Sequence, residues 1–406
     1  MSSPVVEAGK RGLRARGTGF MVAGALIGAV GAYLFQVYGG RSLGPDAFAP
    51  VSVLWTVFFI LATVLLVPVE QYVTREVASG RRAIPHDLTP TFVMAAIGAL
   101  VGGAFVFLTL DDLFEGDLQY VAQIVLLMVG YSLLSIGRGV LAGSRHFKQV
   151  GWLMVIESAA RLLAGIIAIQ LLATATSLGW AMVVGGFAVL AMGWWRYDVG
   201  ESKKPSTPAR GFLVGYVGGT SSSQLLLGGA PLAVAALGAS PALISIVFVT
   251  FTLFRAPLTL IFALQGRILP YLVGLAREAN HAQLARIARL VVFGGAGLAL
   301  LGGLVGWLVG ADVGALLFGE EFAPTSTVAM LAAGGVMAAA AAQIASQVLV
   351  AEAKTRRLSL AWFGGLVVGV LALVLLRVEP DTRVALSFAL GEFVALGLMA
   401  LLATRR

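Results

Sequence analysis

Gly39-Gly40-Arg41-Ser42-Leu43-Gly44-Pro45-Asp46 separates two long apolar runs, Gly19 to Tyr38 before it and Ala47 to Val69 after it. Each run has the length, about 20 residues, that a helix needs to cross ~30 Å of hydrocarbon. The stretch therefore reads as the turn of a membrane hairpin. Lys10, Arg11, Arg14 and Arg16 precede the hairpin, and Glu70-Gln71-Tyr72-Val73-Thr74-Arg75-Glu76 followed by Arg81-Arg82 closes it.

The rest of the chain repeats this chemistry. Of 406 residues 59% are hydrophobic and 12% charged, and the mean hydropathy is +0.93. A soluble domain carries about 25% charged residues, so too little polar surface remains here to cover a globule. The apolar runs are continuous rather than alternating, which excludes a membrane β-barrel. There is no cysteine, hence no disulfide framework, thiolate metal site or thiol nucleophile. His86, His146 and His281 fall in expected connections and offer no metal site. The first span is too long for a signal-peptide core and has no small-residue cleavage site, so it is expected to stay in the mature protein.

Twelve spans are expected, near 18–39, 47–69, 90–110, 119–142, 151–173, 176–196, 211–236, 241–264, 286–310, 322–350, 358–376 and 384–403. The eighth and tenth are expected to run on as helix into the cytoplasm. With the N-terminus inside, Lys and Arg fall almost wholly in the inner connections, and only Arg41, Arg377 and Arg383 lie outside. The outer connections are acidic, with Asp111, Asp112, Glu115 and Asp117, then Asp312, Glu320 and Glu321. This alternation follows the positive-inside rule and places both termini in the cytoplasm. It also accounts for the net charge of +8 without nucleic acid.

The longest polar interruption, around Gly200-Glu201-Ser202-Lys203-Lys204-Pro205, divides the chain. The expected organisation is a cytoplasmic segment 1–17, a six-helix lobe 18–196, a linker 197–210, a second six-helix lobe 211–403 and a cytoplasmic tail 404–406. Arg16-Gly17 recurs as Arg210-Gly211, and Leu43-Gly44 as Leu237-Gly238, both 194 residues on. Each pair frames a Gly-rich span, a turn with proline (Pro45, Pro241) and a second apolar span. Six spans per half is an even number, so the halves insert in the same orientation. They are then related by a pseudo-two-fold axis along the membrane normal, with the substrate path expected between them.

Charges at membrane depth cost at least ~2.5 kcal/mol and face a cavity or a partner. Glu157 and Arg161 lie one helical turn apart, either as a self-neutralising pair or as a polar wall of a cavity. Arg255, just before Pro257, has no acidic neighbour in sequence. It suits a phosphate, because a guanidinium binds phosphate oxygens in bidentate fashion; snorkelling, or a pair with an acid on another helix, are the other readings. Glu392 lies inside the last span, able to meet an arginine or a coupling proton. Glu70 and Arg138 lie near inner ends of spans. Gln36, Gln71, Gln224, Gln265, Gln343 and Gln347 can bond sugar hydroxyls or other helices. Gly24, Gly28 and Gly31, like Gly215, Gly218 and Gly219, form small-residue faces for close packing or for bending. No P-loop, zinc motif, Gly-x-Ser-x-Gly or soluble domain is present, so neither an enzyme nor direct use of ATP is expected.

Phe35-Gln36-Val37, the stretch Arg41-Ser42-Leu43-Gly44-Pro45-Asp46-Ala47-Phe48, and the close of the hairpin from Glu70 to Glu76 resemble the polysaccharide-type flippases of the multidrug/oligosaccharidyl-lipid/polysaccharide (MOP) exporter superfamily. Twelve spans in two sixes and the basic end of span two are similar too, and fit the O-antigen and capsule type. The resemblance implies an all-α polytopic protein with a MATE-like fold in the bacterial inner membrane. It implies translocation of a saccharide on a polyprenyl phosphate or pyrophosphate carrier from inner to outer leaflet, by alternating access. The implied partners are that substrate, membrane lipids, and a glycan polymerase or glycosyltransferases. Spans one, two, seven and eight would line a cationic cavity. By position, Arg255 is the leading phosphate candidate, with Arg161, Arg41, Arg75, Gln36 and Gln224 as further substrate contacts. Glu157, Glu392 and Glu70 are candidates for coupling or charge pairing, with H+ or Na+ as the ion and no other cofactor. An ion-coupled multidrug exporter of the same fold and a non-transporting scaffold for envelope assembly are the alternatives.

Overall fold

The computed structural model describes residues 4–78, 89–193, 209–278, 281–352 and 354–404, and among these every element is helical. The linker at 197–208, the pair Arg81 and Arg82, and His86 lie outside them. Helix stands at each of the twelve expected positions. The order is α1 (Pro4–Leu61), a π turn (Ala62–Leu66), α2 (Val67–Ala78), α3 (Thr89–Leu108), α4 (Leu110–Leu113), α5 (Gln119–Gly143), α6 (Phe147–Leu171) and α7 (Ala175–Phe187). It continues with α8 (Ala209–Gly228), α9 (Ala230–Ala236), α10 (Pro241–Arg277), α11 (His281–Phe318), α12 (Ser326–Ala351), α13 (Thr355–Leu375) and α14 (Pro380–Thr404). Among the described residues nine stretches are long and apolar enough to cross a membrane, and one of these, Gly19–Ala78, contains the first two expected spans. The seventh span is α8 plus α9, broken at Gly229. The eighth runs on as helix to Arg277, as expected.

The hairpin turn is shorter than the sequence suggested. Gly39 to Leu43 are helical, and the break is Gly44 alone, at φ 74° and ψ 168°. Only glycine takes this backbone conformation at low cost. Pro45 then opens the next helix, where its missing N–H has no helical acceptor to lose. Arg41, expected in a turn, therefore stands in the last helical turn before the kink. The repeat read from sequence returns as geometry: Gly238 has φ 76°. Ser240 then caps α10, accepting a bond from the Leu243 amide at 3.3 Å, with Pro241 in the first helical position.

The helices form two compact units, each with its own core. One holds the chain up to Ser42 and Leu61–Tyr216; the other holds Leu43–Ile60 and Val217 onward. This departs from a lobe running unbroken from 18 to 196. Leu43–Ile60 groups with the second unit because Phe48 packs there, its ring centroid 6.1 Å from Phe248 and 6.3 Å from Phe322. The chain returns to the first unit at the π turn Ala62–Leu66. Pro68 follows it and can donate no helical bond, so a widened turn absorbs the fault locally.

Small residues set the helix spacing in both units. In the first, Gly24, Gly28 and Gly31 of α1 lie against Gly151, Met154 and Ser158 of α6. The Ser158 hydroxyl donates to the Gly28 carbonyl at 2.8 Å. This face of span one is thus used for packing. Gly139 and Gly143 of α5 face Val73 and Val77 of α2, where an added Cβ would come within 2.7 and 2.6 Å of the valine Cβ atoms. In the second unit, α12 presents a buried run of alanines from Ala338 to Ala342 to its neighbours. Gly295 of α11 sits on Ala341, and Gly335 of α12 on the ring of Phe388.

Gly139→Val and Gly143→Val should each cost about 1–3 kcal/mol of stability by overpacking α2 against α5. Gly218→Ala, whose added methyl meets nothing within 4 Å, should stay within about 0.5 kcal/mol. Unfolding of the detergent-solubilised variants measures both, and equal midpoints for all three would contradict the packing described.

Candidate functional site

Two groups of buried charge stand out, one in each unit. In the first, Glu157 and Arg161 occupy successive turns of α6. Arg161 Nη1 donates to Glu157 Oε1 at 2.6 Å. Tyr131 of α5 donates its hydroxyl to the same oxygen at 2.5 Å and accepts from Arg161 Nη1 at 2.8 Å. Arg138, two turns along α5, places Nη2 3.8 Å from Glu157 Oε2. Arg138 is also the charged neighbour of Glu70 on α2. The guanidinium of Arg161 lies 6.0 Å from the ring centroid of Phe35 on α1. Gly185 of α7 admits Arg161: an added Cβ there would come within 2.9 Å of the arginine Cβ. Glu157 and Arg161 are 6% and 5% exposed.

Charges in this group alternate from Glu70 to Arg138, Glu157 and Arg161, and they sum to zero. The bonds among Tyr131, Arg138, Glu157 and Arg161 tie α5 and α6 together. A buried ion pair repays its desolvation only when the remaining lone pairs are bonded, and the Tyr131 hydroxyl supplies that bond. Of the two readings of Glu157 and Arg161, the geometry matches the self-neutralising one. Tyr131 escaped the sequence reading because a tyrosine in an apolar span gives no local sign of a partner on another helix.

The second unit is arranged otherwise. Phe251 of α10 and Phe388 of α14 meet edge to face, with centroids 5.0 Å apart at 75°. Arg255 follows Phe251 by four residues and Glu392 follows Phe388 by four, so each charge stands one turn beyond the aromatic contact on its own helix. The two are electrostatic neighbours, yet no ion pair within 4.0 Å joins them. Glu392 is fully buried, and neither carboxylate oxygen has a hydrogen-bond partner among the described residues. Arg255 is half-buried; its Nε and Nη2 also lack partners there. Its guanidinium carbon lies 5.7 Å from the Phe251 ring centroid. The sequence placed Arg255 and Glu392 137 residues apart; the fold brings them together. Phe388 also lines a cavity of about 100 Å³ at the Gly229 break, with Leu226, Gly369 and Ser387.

The remaining candidates are dispersed. Gln36 is 4% exposed, with Oε1 unpartnered among the described residues. Gln224 is half-buried on α8, Glu70 is half-buried on α2, and Arg41 and Arg75 are exposed.

Residues 15–208 match the family model described as "Polysaccharide biosynthesis protein". An uncharacterized protein of Mycobacterium tuberculosis is 27% identical over 394 residues, covering 92% of this chain and 88% of that protein. A second uncharacterized protein of the same organism is 26% identical over 415 residues, with 97% and 93% covered. Among solved structures, an inward-facing multidrug resistance MATE family transporter of the MOP superfamily superposes with a TM-score of 0.67 at 14% identity, covering 92% of this chain and 93% of that one. A MOP superfamily transporter from Pyrococcus furiosus, described as having a binding pocket of reverse polarity, gives a TM-score of 0.66 at 15% identity, with 96% and 95% covered. These likenesses show the fold, and with the family match they bear out the resemblance read from the sequence.

Glu157→Ala should destabilise the protein by about 3–5 kcal/mol, because it strands Arg161 in the interior. Tyr131→Phe should cost about 1–3 kcal/mol, because it removes one hydrogen bond from each charged partner. Denaturant unfolding in detergent measures the two losses. Wild-type stability for Glu157→Ala would show that the network does not hold the first unit together.

Proposed function

We propose that this multi-pass membrane chain, with the fold of the MOP transporters and a family match to polysaccharide biosynthesis proteins over residues 15–208, is a flippase for a lipid-linked saccharide. It moves a saccharide on a polyprenyl phosphate or pyrophosphate from the inner to the outer leaflet of the bacterial inner membrane, by alternating access. The observation that carries this reading is Arg255, a half-buried guanidinium with Nε and Nη2 unpartnered among the described residues. A phosphate supplies the oxygens that these donors lack, and its charge offsets the cost of an arginine at depth. In the first unit Arg161 and Arg138 are each paired with Glu157, whereas Arg255 has no ion pair among the described residues, so we assign the phosphate contact to the second.

Gln224, half-buried on α8 of the same unit, is a candidate contact for sugar hydroxyls. Gln36 is a candidate in the first unit. Arg41 and Arg75, exposed at the two ends of the first hairpin, suit an approaching anionic head group at the membrane surface. H+ or Na+ is the candidate coupling ion, with Glu392 as its candidate acceptor. A glycan polymerase and glycosyltransferases are the candidate partners, because they would consume and supply the substrate. Several of the similar structures are multidrug transporters, but an anion suits an unpaired buried arginine better than a cationic drug does.

Depletion in the native host should build up lipid-linked saccharide on the inner leaflet. Re-expressed wild-type chain should clear it. Arg255→Ala should clear it more than tenfold more slowly, as expected for loss of a buried charged hydrogen bond of 2 kcal/mol or more. Leaflet-resolved labelling of the sugar measures this, and an unchanged inner pool on depletion would refute the flippase reading.

A further inference from the structure

Glu392 and Arg255 pose a problem that the assignment of a phosphate to Arg255 does not by itself solve. A carboxylate with both oxygens unbonded in a dry interior is costly, and Glu392 is fully buried with neither oxygen bonded. Among the described residues the charge acting on it is Arg255. Among the described residues Arg255 in turn has two unbonded nitrogens, and Glu392 is the charged group acting on it. One turn earlier on the two helices the rings of Phe251 and Phe388 meet. The guanidinium nevertheless rests over Phe251 and leaves the carboxylate unpaired.

We propose that Glu392 is the internal counter-ion of Arg255 and competes with the substrate phosphate for the same guanidinium. The proposal rests on the flippase reading and adds a residue to it that sets affinity without touching substrate. When Arg255 closes onto Glu392, both charges are met. With a phosphate bound, Arg255 turns to the ligand; in this structure it rests over Phe251 and is bonded to neither partner among the described residues. Neither the closed nor the phosphate-bound state leaves the arginine bare, so the phosphate can be both gained and released. An arginine with no such alternative partner would hold its ligand too well to let it go.

The test is a double-mutant cycle on the full chain in lipid nanodiscs, with farnesyl pyrophosphate as the probe. Arg255→Gln should weaken binding more than tenfold. Glu392→Gln, which keeps the shape and removes the charge, should tighten it about fivefold or more, within the usual range of coupling between sites. In the double variant the gain from Glu392→Gln should vanish, because there is no arginine left to compete for. A merely structural Glu392 would weaken binding when replaced, and by the same factor with or without Arg255. If Arg255→Gln weakens binding but Glu392→Gln does not tighten it, the counter-ion role fails while the phosphate site stands. If Arg255→Gln leaves binding unchanged, or the wild-type chain does not bind the probe, the phosphate site fails and the counter-ion with it. Should Glu392→Gln not fold, infrared difference spectra of the wild-type chain decide. Addition of inorganic pyrophosphate should shift a buried carboxyl band, and a silent carboxyl region would overturn the proposal.

Discussion

A charge inside a bilayer has no water to turn to, so the protein must meet it with another charge, a hydrogen bond or a ligand. That constraint organises both units. In the first, Arg138, Glu157, Arg161 and the Tyr131 hydroxyl are paired across α5 and α6, with Glu70 of α2 as a charged neighbour of Arg138. The helices cannot separate there without stranding an ion. In the second, Arg255 and Glu392 are neighbours that do not touch, and their polar atoms remain unsatisfied among the described residues. One group is paired within itself, and the other has the open polar atoms that the proposed phosphate site requires.

Close helix approach makes these arrangements possible. Gly185 gives Arg161 room beside α7, and Gly31 receives the Ser158 side chain. Gly335 lets the Phe388 ring lie on α12, and that ring braces Phe251 under Arg255. Without a hydrophobic driving force between helices in lipid, such fits and the polar bonds between helices carry the association. The glycine-rich composition is thus tied to the position of the charged side chains as well as to helix spacing.

Much of this was legible in the chain. Twelve helices follow from the length and spacing of apolar runs. The repeat at 194 residues was visible as two short matches and proved to mark two glycines of nearly the same positive φ, Gly44 and Gly238. The extent of the break was not legible: Gly39 and Gly40 read as turn residues, yet tertiary packing holds them in helix and leaves Gly44 to make the bend. The grouping of Leu43–Ile60 with the second unit was hidden for a similar reason, since it depends on the partners of Phe48 rather than on any local pattern. For the site, the residue types announced themselves, because every ion at membrane depth is conspicuous. Their partners did not: Tyr131 with Glu157, and Arg255 with Glu392, are pairings between helices that only the fold can specify.

The central claim is that a phosphate-bearing lipid crosses the membrane through a site built on Arg255. Its most direct test is reconstitution of the purified chain into liposomes loaded with a polyprenyl-pyrophosphate-linked saccharide, with sugar exposed on the outside followed by a membrane-impermeant label. The flippase reading predicts that inward-facing substrate becomes labelled with wild-type protein and stays protected with Arg255→Gln. Equal labelling with both proteins, or none above protein-free liposomes with either, would contradict it.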